Sequence, residues 1–121
     1  MSKRALVTGS EGLIGREFCK ALLHAGYEVY CFDIKDGEDV TAPPVDASYF
    51  DVDVLINCAA INPHATQHPG SAGGWWKSFE VNVYGTYLMG RIVAKYMRKR
   101  GGGNIVNMGS TYGIVAPDQR I

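Results

Sequence analysis

Three glycines in the octapeptide TGSEGLIG, Gly9, Gly12 and Gly15, stand at a spacing suited to chemistry done by backbone rather than by side chains. Glycine lets a chain turn sharply off a strand, lets backbone approach a bulky anion, and lets a helix press close to a sheet. Gly9, Gly12 and Gly15 can take those three tasks in order. If a helix starts here, its first N–H groups and the positive end of its dipole face the loop, so Ser10, Glu11, Leu13 and Ile14 join a candidate diphosphate cradle. Asp33 stands eighteen residues beyond Gly15, with Ile34 after it; an acid at that place can accept hydrogen bonds from ribose hydroxyls. An exposed turn aspartate would carry the same letter, so the surrounding elements decide.

Those elements have the right order. Residues 3–8, KRALVT, are a short β-prone run ahead of the glycines. Ile14, Phe18, Ala21, Leu22 and Ala25 then recur at helical spacing, with Gly26 in the capping place, which predicts a helix over residues 12–25. EVYCFD, residues 28–33, reads as a second strand. A third strand has room only around residues 38–41, because Pro43 and Pro44 stop it. DVLINC, residues 53–58, is nearly continuous in apolar residues, as in a strand buried on both faces. A long helix is expected over residues 75–100, with Val81, Tyr84, Leu88, Ile92 and Tyr96 along one stripe, and NIVNMG supplies a fifth strand. Strand and helix alternate throughout. The expectation is therefore a single α/β domain over residues 1–121, a doubly wound parallel sheet of about five strands in the order 3-2-1-4-5.

Composition sets limits. The 121 residues are 46% hydrophobic and 20% charged, with twelve positive and twelve negative side chains, so no field draws in nucleic acid or an anionic membrane. The basic KYMRKR segment suits the negative end of a helix dipole. The N-terminus has no apolar run of signal-peptide or membrane-span length, and a cytoplasmic protein is expected. Cys19, Cys31 and Cys58 are odd in number and lack a CxxC pair; they read as small buried hydrophobes rather than a disulfide framework. His64 and His68 lie four apart, but flanking prolines oppose the helix that would align them, and no metal site is expected. Trp75 and Trp76 are expected to pack the start of the long helix rather than to bind a substrate.

With those segments in place, the sequence resembles the short-chain dehydrogenase/reductase family along essentially the whole chain. TGSEGLIG is similar to its TGxxGxxG loop, in the spacing of the extended epimerase and dehydratase branch. DVT resembles the motif lining the adenine pocket, which implies that Asp39 and Val40 touch the base. DVLINCAAI is similar to the DxLxNNAG strand and turn, which places Asn57 and Ala59, with Cys58 and Ala60, beside the cofactor. VNVYGT resembles VNxxGT, whose asparagine, here Asn82, belongs to a catalytic tetrad. NIVNMGSTYG resembles the strand carrying the catalytic serine, here Ser110.

The resemblance implies a Rossmann-like fold and an oxidoreductase that passes a hydride between a substrate and a nicotinamide dinucleotide. Asp33 and Glu11 would repel a 2′-phosphate, Lys35 is the nearby cation that could offset them, and NAD is expected over NADP. The family's YxxxK tyrosine and lysine are not among these residues: Tyr112 has Ala116 at the lysine position and Tyr96 has Arg100. The chain is thus expected to be the cofactor-binding half of such an enzyme, truncated relative to the full family fold, with its catalytic and substrate part absent. Whether it is itself an enzyme stays open, and a non-catalytic NAD-binding or assembly module is the alternative. An unprotected fifth strand and an uncovered helix face would favour a homo-oligomer.

Overall fold

A computed structural model describes residues 2–62, 72–118 and 120. Strand β1 (Arg4–Thr8) leads through the glycine loop into α1 (Leu13–His24), and β2 (Glu28–Phe32) follows. Two short 3-10 turns, Ile34–Asp36 and Ser48–Phe50, precede β3 (Val54–Asn57). A helical run comes next: α2 (Ala72–Phe79), a π-helical segment (Glu80–Gly85) and α3 (Thr86–Arg100). Strand β4 (Asn104–Asn107) and a 3-10 turn (Thr111–Gly113) complete the described order.

The strands form one parallel sheet in the order β2-β1-β3-β4. Thr8 pairs with Phe32 and Asn57, and Asn57 with Asn107, so the C-terminal ends of all four strands meet at one edge. Alternating side chains feed two cores, one on each face of the sheet. Leu6, Phe32 and Leu55 pack with Phe50, Met89 and Val93 on one face; Val7 and Ile56 pack with Cys19 on the other. Helices on both faces make the sheet doubly wound, as the alternation of elements implied.

Four expectations need correction. Among the described residues no strand forms at residues 38–41, so the sheet has four strands rather than five. There the Asp39 carboxylate takes the Thr41 amide N–H at 2.8 Å and its hydroxyl at 2.7 Å, a local turn that competes with strand pairing ahead of the prolines. In its place Tyr49 stacks on Tyr30 of β2 at 4.1 Å and Phe50 enters the core.

The long helix starts at Ala72 and is not uniformly α-helical. Its buried positions are Gly85, Met89, Val93 and Met97, one residue later than the expected stripe at Tyr84, Leu88, Ile92 and Tyr96. The π segment inserts a residue and so rotates the face that follows it. Gly85 sits where a Cβ would come within 2.6 Å of Val40 Cγ2, which explains a glycine at that place.

Cys19 is buried and Cys58 half-buried as expected, but Cys31 is exposed, because β2 is an edge strand. Trp75 and Trp76 pack on each other at 4.8 Å, and Trp75 on Phe79 at 4.5 Å, rather than in the core. The basic end of α3 is used in part for ion pairs: Arg100 reaches Asp53 at 2.7 Å and Asp51 at 3.4 Å, and Arg4 of β1 reaches the same Asp51 at 2.9 Å. No helix among the described residues is long and apolar enough to cross a membrane.

Candidate functional site

The site forms where β1 and β3 end. Gly9 has φ +62°, a left-handed conformation, and a Cβ there would come within 2.8 Å of the Ala59 backbone. Gly12 N–H donates to the Gly9 carbonyl at 3.0 Å and closes the turn. A Cβ on Gly15 would run into that same carbonyl, so the helix can approach the loop only through glycine. No side chain caps α1 at Gly12, which leaves its first amide groups available to an anion. Leu13 and Ile14 project outward and are exposed; Ser10 is buried, with its Oγ lacking a hydrogen-bond partner.

Asp33 joins the loop to β2. Its Oδ2 accepts from the Glu11 amide at 2.9 Å and its Oδ1 from the Lys35 amide at 2.9 Å. The side chain is buried, yet each oxygen keeps a lone pair for a further donor. Glu11 lies beside it. Desolvation raises the pKa of Glu11 above the ordinary value, helped by a hydrogen bond with Asp36 and by the charges of Asp36 and Asp33, while Lys35 opposes the rise.

A cavity of about 340 Å³ runs from Gly9 and Gly12 past Asp33, Ile34 and Lys35 to Asp39 and Val40, and is closed by Cys58, Ala59, Ala60 and Ile61 of the loop after β3. Thr8 shapes this wall, since its Oγ1 accepts both the Cys58 and the Ala59 amides at 3.1 Å. The two hydrogen bonds from Thr41 hold the Asp39 carboxyl below its usual range. Lys77 and Val81 also line the cavity. Sequence reasoning missed Lys77, Val81, Ile61 and Thr8 as site residues; Lys77 and Val81 reach the cavity from a helical run far along the chain, which no local pattern marks.

Asn57, Asn82 and Ser110 lie outside that lining. Asn57 is buried and donates through Nδ2 to Asn107 Oδ1 at 2.9 Å, leaving its own Oδ1 without a partner. Asn82 lies in the π segment and clamps the β3 loop twice: its Oδ1 accepts the Ile61 amide at 2.8 Å and its Nδ2 donates to the Ile61 carbonyl at 2.9 Å. Ser110 Oγ accepts the Tyr112 amide at 3.1 Å, which leaves its proton free to be donated elsewhere. His64 and His68 lie outside the described residues, and among those described no group of three His, Cys, Asp or Glu is placed to hold a metal ion.

Comparison with known proteins places this arrangement. Residues 32–120 match the family described as short chain dehydrogenase. An NAD-dependent glycerol dehydrogenase of Listeria innocua is 29% identical over 98% of this chain and 57% of its own length. A solved oxidoreductase of the short chain dehydrogenase/reductase family from Burkholderia thailandensis superposes with a TM-score of 0.79 at 26% identity, over 97% of this chain and 55% of that one. ElxO with NADP bound has a TM-score of 0.77 at 23% identity, over 97% of this chain and 59% of its own, a likeness of fold. The chain thus spans little more than half the length of these relatives.

Proposed function

The chain belongs to the short chain dehydrogenase family, and from that premise we propose that it is the dinucleotide-binding half of an NAD-dependent oxidoreductase. The observation that carries this is the glycine loop: a left-handed Gly9 against Ala59, Gly15 with no room for a Cβ, and an uncapped helix start opening beside the cavity. A cavity of about 340 Å³ is at the lower end for ligand sites and suits one end of a dinucleotide.

In this reading the diphosphate rests on the amides between Gly9 and Gly15, and Asp33 accepts the adenosine ribose hydroxyls with its remaining lone pairs. Asp39 and Val40 meet the adenine, and Cys58, Ala59 and Ala60 bound the ribose and ring. The bound dinucleotide supplies a hydride acceptor or donor. Ser110 would hold the substrate oxygen through its free proton, while Asn82 positions the β3 loop through Ile61. A negative Asp33 beside Glu11 disfavours a 2′-phosphate, and Lys35 and Lys77 only partly offset them. ElxO carries NADP on a similar fold, so the preference for NAD rests on this chain's residues.

We also expect self-association in a cytoplasmic setting. Trp76, Val83 and Tyr87 are more than half exposed, and β4 is an exposed edge. Light scattering across concentration tests this, and a strictly monomeric species would contradict it.

Equilibrium dialysis against NAD tests the main reading. One saturable site per chain, weakened by NADP's extra phosphate and by Asp33→Ala, is expected. Absence of saturable binding would remove the cofactor assignment.

A further inference from the structure

Two cysteines that the sequence separates meet at the interface of α1 and β2. Cys19 Sγ lies 3.7 Å from Cys31 Sγ. Cys19 is 8% exposed and packed with Val7 and Ile56, whereas Cys31 is open to solvent. We propose that Cys19 and Cys31 are a redox-modifiable pair, which a small-molecule disulfide converts to an intramolecular disulfide joining α1 to β2.

The geometry asks little. A disulfide holds its sulfurs about 2.05 Å apart, so the two must approach by about 1.7 Å from their present contact. The order of steps follows from exposure. The Cys31 thiolate attacks one sulfur of the small disulfide, forming a mixed disulfide and expelling the first small thiolate, which takes up the proton Cys31 gave up. Cys19, once deprotonated, attacks the Cys31 sulfur and expels the second small thiol. Two protein thiols are oxidised and one small disulfide is reduced to two thiols, so atoms and electrons balance. Burial holds the Cys19 thiol above its ordinary pKa, and that cause persists after Cys31 has formed the mixed disulfide, so the second step is the slow one and quickens with pH.

The placement matters for the fold's working end. The bond would tie the helix whose start faces the glycine loop to the strand that ends beside Asp33, two residues past Cys31. Cys58 packs against the same apolar cluster and is the competing thiol.

The test is incubation of the reduced chain with oxidised glutathione, followed by thiol counting, intact mass and a digest under non-reducing conditions. The expected product has one free thiol of the original three, has lost two hydrogens, and yields one peptide joined through Cys19 and Cys31. Its rate of ring closure should rise about tenfold per pH unit below the Cys19 pKa. Cys31→Ser, at an exposed position, should leave Cys19 unreacted. Cys58→Ala should leave the bond unaffected. Three free thiols after incubation, a product that stops at glutathione on Cys31, or a cross-link mapped to Cys58 would each overturn the proposal.

Discussion

The Asp33 carboxylate accepts the amide of Glu11 at 2.9 Å, so the residue at the end of β2 holds the glycine loop as well as facing the cavity. Asp33→Ala therefore removes two things at once. It leaves the Glu11 and Lys35 amides without their acceptor, a loss on the order of 1–3 kcal/mol by the usual cost of such groups. Urea unfolding should show that loss without any ligand, and NAD affinity should fall further than stability alone explains.

Gly15→Ala should be harmful for a different reason. The new methyl meets the Gly9 carbonyl, so the loop or α1 must shift, at a cost of roughly 1–3 kcal/mol for an overpacked site. The midpoint in urea should drop. Gly90→Ala on α3 is the control: a Cβ there meets nothing within 4 Å, and removing a helix-interior glycine should leave stability equal or higher.

Asn82→Ala should expose the β3 loop. Both the oxygen and the nitrogen of its side-chain amide are spent on Ile61, so hydrogen exchange at the Ile61 amide should accelerate while exchange in β1 stays unchanged. Asn82→Asp keeps the acceptor but loses the donor, and should fall between wild type and alanine.

Acid stability should depend on Asp53. The Arg4 amide, then the Arg100 guanidinium, holds its carboxyl below the ordinary range despite partial burial. A folded-state value below the unfolded value of about 3.9 means that the contribution is present above about pH 4 and is lost as pH falls through the folded value. Asp53→Asn should lower Tm at pH 7, and the gap to wild type should narrow as pH drops below about 4. A gap independent of pH would contradict this account.

The sheet, the glycine loop and the order of elements were legible because each rests on local pattern: apolar runs for strands, helical spacing for α1, glycine where backbone must turn or touch. Four features were not. The missing strand depended on Asp39 turning its carboxylate onto Thr41, a local competition that strand propensity does not weigh. The buried stripe of α3 shifted by one residue because a π segment has no strong sequence mark. The exposure of Cys31 follows from β2 becoming a sheet edge, which is a consequence of the first miss. Lys77 was hidden for another reason: it enters the cavity from a helix far along the chain.

The central claim is that the glycine loop and Asp33 bind NAD. Thermal unfolding with and without NAD and NADP tests it most directly, since ligand at 100 times its dissociation constant stabilises by about 2.7 kcal/mol. The account predicts an upward shift in Tm with NAD, a smaller one with NADP, and loss of the NAD shift in Asp33→Ala. No shift with either dinucleotide at millimolar concentration would contradict it.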